Sequence, residues 1–201
     1  ALSNVGDAKN VLSIAEGGLT DILGVLTTMK EKITQAASDT LGTSEREAIE
    51  NQLDDLAAEI DSIVARTEFN GNKLINGSYT SKSFQVGAET VDVLSVGISQ
   101  NHDAASLKVA DADLSVDSAT NASTALASIN TAISTVNSTI RQIGSIQARL
   151  SVNESSLSTN IVNTEAAKSR ILDADLAAEQ LQAVKLQILQ HYLERTPDPD
   201  R

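Results

Sequence analysis

Apolar positions recur in the last third of the chain with a seven-residue rhythm. One row reads Ile129, Val136, Ile143, Leu150, Leu157, Thr164 and Ile171. A second reads Leu126, Ile133, Ile140, Gln147, Glu154 and Ile161. Their 3-4 alternation places both rows on one stripe of a helix. A helix of roughly 50–70 residues, rising about 1.5 Å per residue, spans roughly 75–105 Å. The rhythm therefore predicts an elongated antiparallel helical bundle or coiled coil, and with it a structural or assembly role.

The same spacing marks a first helix from about Ser3 to Ser38, with Leu12, Ala15, Leu19, Ile22, Leu26, Met29, Ile33 and Ala36 on its seam. Gly17 and Gly18 interrupt it, each at a cost of about 1 kcal/mol relative to Ala; small residues there would let a neighbouring helix or a partner subunit come close. Residues 39–43 read as a break. Ser44 with Glu47 reads as a capping box, opening a second helix to about Arg66 with Ile49, Leu53, Leu56, Ile60 and Ile63 on one stripe.

The middle changes period. Asn70-Gly71 and Asn76-Gly77 are the residue pairs of type I′ turns. Segments 83–86 and 91–99 alternate as strands do, and 107–116 is expected to add another. Asn121 is expected to start or cap the long helix. The resulting fold class is mainly α with a small β-hairpin region. It divides into an N-terminal helical pair (1–68), a β-hairpin region (69–117), a long C-terminal helix (118–190) and a tail (191–201) whose last seven residues, with both prolines, are expected to be non-helical.

Composition narrows the function classes. Among 201 residues, 15 basic and 27 acidic ones give a net charge of −12. Phosphate binding needs basic patches, so nucleic acid is not an expected partner, and neither is an anionic membrane. No apolar run is expected to reach the ~18 residues that span a bilayer. Aromatics are 2% and cysteine is absent, which suits narrow helix seams and removes disulfides and thiolate metal sites. No signal peptide opens the chain, which begins in apparent helix without Met, so a trimmed chain is expected.

Candidate chemistry is sparse. His102 and His191 lie far apart and in no metal-ligand spacing, and are expected to be surface or loop histidines. Asp173, Asp175 and Glu179, like Asp111 and Asp113, do not form a calcium loop. No phosphate loop or nucleophile–base set is present, so neither an enzyme nor a cofactor is expected. Polar residues at seam positions (Gln147, Glu154, Thr164, Lys168) are candidates to fix helix register. Arg141 and Arg149 are candidates to pair with acids of the first two helices.

Four segments, in order, carry a resemblance: Ser13 to Ile22, which includes Ala15-Glu16-Gly17-Gly18-Leu19; Thr67-Glu68-Phe69-Asn70-Gly71-Asn72-Lys73-Leu74; Phe84-Gln85-Val86-Gly87-Ala88; and Ser169-Arg170-Ile171-Leu172-Asp173-Ala174-Asp175-Leu176-Ala177-Ala178-Glu179, followed by Gln187 to Gln190. The chain resembles bacterial flagellin over about residues 3–190. The resemblance implies the family's rod-like core: two N-terminal helices, a β-hairpin region and a C-terminal helix. It implies self-polymerisation into an extracellular flagellar filament for motility, after type III export that uses no cleaved signal, with an export chaperone and a cap as partners. It makes Glu16, Gly17, Gly18, the Asn70-Gly71 turn, Asp173 and Asp175 candidates for subunit contacts or their positioning.

The family's first forty or so residues and its matching C-terminal end are absent from this sequence, and residues 191–201 look unlike that end. The patch sensed by the animal toll-like receptor for flagellin reads Leu-Gln-Arg-x-Arg-Glu-Leu in the family. Here it is Leu26-Thr27-Thr28-Met29-Lys30-Glu31-Lys32: Leu26 and Glu31 match, Lys30 keeps a charge, and Thr28 stands where the first Arg would offer a planar fork of donors. Weakened sensing is expected. The rival readings are a hook–filament junction adaptor, a cell-surface binding protein and a metalloprotease-bearing flagellin; the last needs a His-Glu-x-x-His that this sequence lacks.

Overall fold

A computed structural model describes residues 1–87, 89–110 and 113–195. Ala88, Asp111 and the proline-bearing end of the tail, Thr196 onward, lie outside the described residues. The chain forms two compact units, Ala1–Glu154 and Ser155–Arg201. The elements are α1 (Leu2–Ala36), α2 (Thr43–Arg66), β1 (Glu68–Phe69), β2 (Asn72–Lys73), β3 (Tyr79–Gln85), β4 (Val93–Ile98) and α3 (Ala119–Arg195).

α1 is the spine of the first unit. Every residue of its expected seam, from Leu12 through Met29 to Ala36, is fully buried or nearly so. Val5, Ala8 and Val11 extend the stripe toward the N-terminus. α1 also contains a stretch apolar enough to cross a membrane by length and composition, with a mean hydropathy of 1.3. That corrects the expectation of no such run; a third of the stretch is buried, and on the same helix Ile14 is 40% exposed while Leu23 and Val25 are half-covered. α2 contributes Ile49, Leu53, Ile60 and Ile63 as expected, but Ala57 is buried where Leu56 is only half covered. The stripe drifts because 3.6 residues per turn do not divide seven evenly.

The α1–α2 corner departs from the capping-box expectation. α2 starts at Thr43 after an extended Gly42, and no side chain caps it. Arg46 takes over the corner instead. It is buried and donates to the carbonyls of Ala36 and Ser38 at the end of α1, the latter at 2.8 Å. Helix C-terminal carbonyls lack intrahelical donors and carry partial negative charge, so a guanidinium suits both needs.

α3 runs antiparallel to α1 within this unit. Lys9 Nζ meets Glu154 Oε2 at 2.8 Å, and Gln147 Nε2 donates to Glu16 Oε2 at 3.0 Å. One seam row, Ile129, Val136, Ile143 and Leu150, is buried with Ala122, Ala125, Ala132 and Thr139. The second row, Leu126, Ile133 and Ile140, is half covered. The rhythm does not stay buried as the sequence alone suggests: in the second unit Ile161 and Ile171 are 45% and 67% exposed. Thr164 returns its hydroxyl to the Asn160 carbonyl and Lys168 is exposed. The α3 cap is Ser118, whose hydroxyl oxygen accepts from the Asn121 amide at 3.2 Å; Asn121 lies inside the first turn.

In the β region, β1 and β2 pair Phe69 with Asn72, and Asn70 and Gly71 have φ of 49° and 76°, the two positive angles of a type I′ turn. Asn76 does not share that geometry: only Gly77 has positive φ, and the Asn76 Oδ1 accepts from the Ser78 amide and hydroxyl. This is an Asx turn. β3 and β4 form an antiparallel hairpin with Leu94, Val96 and Ile98 turned inward. The strand expected at 107–116 does not form in its described residues. Leu107, Val109, Leu114 and Val116 are buried alternately, yet the Val116 amide is met by Glu50 Oε1 of α2 rather than by a neighbouring strand.

His102 corrects a second expectation. It is in a loop but has no exposed surface. Its Nδ1 faces the Ile75 carbonyl at 3.3 Å and its Nε2 faces Thr139 Oγ1 of α3 at 3.0 Å. Its backbone amide also donates to Ile75. Burial lowers its pKa below the ordinary 6.5, against the opposing pull of the backbone bonds and of Asp103. The unfolded chain therefore takes up this proton at a higher pH than the folded one. Stability from neutral His102 is complete above the ordinary value and falls as pH drops through it, by up to about 1.4 kcal/mol per unit until the folded pKa is passed. Urea unfolding at about pH 7.5 and about pH 5.5 checks this: the parent should lose stability across the interval, and His102→Asn should lose distinctly less.

Candidate subunit-contact surface

The expected contact residues divide between faces of α1, one turn and the second unit. On α1, Leu26 and Met29 are fully buried in the seam, so they hold the helix and do not face a partner. Thr28, Lys30 and Glu31 are exposed. Thr28 bends its hydroxyl back to the Gly24 carbonyl at 3.2 Å. With Thr20 and Gly24 it borders a shallow open groove whose far wall is Leu56, Glu59 and Ile63 of α2. The half-covered Leu56 thus faces this groove.

Gly17 and Gly18 have opposite surroundings. Gly17 is exposed, with open space where a side chain would stand. Gly18 is buried against Thr67, the residue that ends α2; a methyl group there would come within 2.9 Å of Thr67 Cγ2 and nearer still to its hydroxyl. Thr67 cannot swing clear without loss, because its hydroxyl is bonded to the Ile63 carbonyl at 2.7 Å and a β-branched side chain has few rotamers. Thr67 is the positional residue that the sequence reading left unassigned. Its signal was its place at the head of the Thr-Glu-Phe-Asn-Gly motif. Glu16, beside the glycines, is half-buried and held by Gln147.

The Asn70-Gly71 turn is exposed at the end of the β1–β2 ribbon. Lys73 steadies that ribbon by donating to the Ala65 carbonyl and pairing with Glu68. In the second unit Asp173 and Asp175 are exposed; Asp173 accepts from the Ser169 hydroxyl at 3.1 Å, four residues back on the same helix. Among the described residues no group of three or more His, Asp or Glu is placed to hold a metal ion. Within the first unit, Gly17 is exposed on α1 while Gly18 is buried and Glu16 half-buried.

Known proteins share this arrangement. The profile of the bacterial flagellin N-terminal helical region matches residues 1–80, and that of the bacterial flagellin C-terminal helical region matches residues 126–192. A flagellin of Bacillus subtilis (strain 168) is 32% identical across 94% of this chain and 72% of its own length. The chain belongs to the bacterial flagellin family. A flagellin of Halalkalibacterium halodurans is 28% identical over 94% of the chain and 69% of its own length. Flagellin B of Vibrio cholerae is 36% identical over 48% of the chain, and the match spans only 26% of that relative. The chain thus aligns with about a quarter of the length of the Vibrio flagellins. In fold, Bacillus cereus flagellin superposes with a TM-score of 0.69 at 24% identity, covering 83% of this chain and 95% of that one. The family is structural rather than enzymatic.

The two adjacent glycines give a paired prediction for this flagellin-family core. Gly17→Ala should stabilise the chain by up to about 1 kcal/mol, the helix-propensity gain in open space. Gly18→Ala should destabilise it, because the collision with Thr67 outweighs that gain. Urea midpoints of the two variants against the parent test the contrast; equal stabilisation by both would mean that Gly18 and Thr67 do not pack closely.

Proposed function

We propose that this chain is the rod core of a flagellar filament subunit, exported from a bacterium and polymerised outside the cell for motility. The observation that carries the reading is the pair of flagellin helical-region matches, over residues 1–80 and 126–192, together with a relative called flagellin that aligns over 94% of the chain. The mechanism is packing. Intrachain seams make the core rigid, and exposed helix faces are left for neighbouring subunits. Gly17, the Asn70-Gly71 turn and the exposed Asp173 and Asp175 are the assigned contact positions, with Glu16 and Gly18 positioning them. Exposed Ile171, Leu172, Leu176, Leu181, Val184, Leu186 and Ile188 in the second unit support a role that covers them by assembly. An export chaperone and a filament cap are the remaining partners of this reading.

The test is complementation. The gene that encodes this chain, placed in a bacterium lacking its own flagellin, should restore filaments visible by electron microscopy and swimming in soft agar. Export with attachment at the hook but no filament growth would favour a junction adaptor instead.

The receptor patch belongs to the same proposal. Thr28 is exposed where the family's first Arg would stand, so a receptor loses a charged, forked donor at an accessible place. The chain should activate a cell reporter for the toll-like receptor for flagellin weakly, and Thr28→Arg should raise its potency by about tenfold or more, the gain from one charge-assisted contact. Full potency in the parent, or no gain in the variant, would remove Thr28 from recognition.

A further inference from the structure

The chain contains two Asn-Gly pairs in the same β region, and their surroundings differ sharply. Asn70 and Gly71 are both exposed, and nothing stands within 4 Å of where a Gly71 side chain would be. Among the described residues the Asn70 side-chain amide has no hydrogen-bond partner. The hairpin that it closes has only two residues in each strand. Asn76 is held instead. Its Oδ1 accepts from the Ser78 amide at 3.0 Å and the Ser78 hydroxyl at 2.7 Å. It bridges to Asn101, and Gly77 lies against the backbone of Ser99 and Asn101, 3.2 Å from where its own side chain would start.

We propose that the Asn70-Gly71 turn is a site of spontaneous deamidation, and that the packing around Asn76-Gly77 protects the second pair. The chemistry is internal to the chain. The Gly71 backbone nitrogen, losing its proton to base, forms a bond to Asn70 Cγ. The Cγ–N bond of the side-chain amide breaks, and ammonia leaves after taking up a proton. Water then opens one of the two carbonyls of the cyclic imide, giving aspartate or isoaspartate. Glycine favours the step because no side chain shields its nitrogen. Asn70 sits at φ 49° in the turn, and its ψ and χ1 must rotate into ring-closing geometry for its Cγ to meet that nitrogen. Opening a two-residue ribbon allows this locally, whereas the same motion at Asn76 breaks the Ser78 bonds and the Asn101 bridge together.

The product matters to the rod. Each event adds a negative charge to a chain already at −12. Isoaspartate also inserts a methylene into the main chain inside a type I′ turn, which removes the Phe69–Asn72 register.

The experiment uses the full chain, folded in mildly alkaline buffer and in parallel unfolded in urea, with timed peptide mapping and an isoaspartate-specific methylation assay. In urea both pairs should convert at similar rates. In the folded chain Asn76 should convert at least about tenfold more slowly than Asn70, the factor supplied by one to two net hydrogen bonds. Asn70→Gln, whose longer side chain would have to close a six-membered ring, should remove the early product while leaving Asn76 unchanged. Conversion at Asn76 as fast as at Asn70 in the folded chain would overturn the proposal. So would no conversion at Asn70 over a period in which the unfolded chain reacts at both.

Discussion

Everything in the first unit depends on one narrow apolar stripe along α1. A stripe of Leu, Ile, Met and Ala at 3-4 spacing is too thin to make a core alone, and it becomes one because α2 and α3 both turn toward it. Burying Leu or Ile fully is worth about 1.5–3 kcal/mol each. Truncating one such residue to Ala costs about 2–5 kcal/mol. With aromatics at 2%, few large side chains are available to fill a gap if the helices separate. Helix contact must therefore be close all along the stripe, and the packing of Gly18 on Thr67 is one place where that closeness is built in.

Apolar packing sets how near the helices lie but is weak at choosing register, because one turn of Leu resembles the next. Polar pairs make that choice. Gln147 with Glu16 and Lys9 with Glu154 lock α3 to α1 at two heights seven residues apart on each helix. The ion pair is partly exposed and contributes little stability on its own, so its effect is on alignment. Arg46 closes the α1–α2 corner at the end of α1, and His102 ties the loop after β4 to both Ile75 and α3. No buried side-chain polar atom among the described residues lacks a partner, as a thin core demands, since an unmet polar group there costs about 1–3 kcal/mol.

The abundant Ser and Thr of the helices are explained by the same economy. Thr20, Thr27, Thr34, Thr131 and Thr135 each return a hydroxyl to the carbonyl four residues back. These bonds satisfy the side chain locally and leave it indifferent to what lies outside. The second unit has a different surface, with Leu181, Leu186 and Ile188 among its exposed apolar residues.

The sequence by itself determined the three helices, the α1 seam, the Asn70-Gly71 turn, the β3–β4 alternation and the family. The family rests on resemblance in four motifs and the turn on its Asn-Gly pair; the others are set by local spacing, and a period of 3.6 or 2 is readable wherever one face of an element is buried. Tertiary structure decided the rest, because each missed feature depends on a residue distant in sequence. The caps at Ser44 and Asn121 gave way to Arg46 reaching back ten residues and to Ser118. The alternation of 107–116 looked like a strand, yet the Val116 amide is met by Glu50 of α2 rather than by a neighbouring strand. His102 is buried because Ile75 and Thr139 arrive from other elements to satisfy both ring nitrogens. Leu26 and Thr28 sit two residues apart in one motif, and only the packing of α1 shows that the first is in the core and the second on the surface: a helix seam repeats regularly, but which neighbours cover it is fixed by how the chain returns to meet itself.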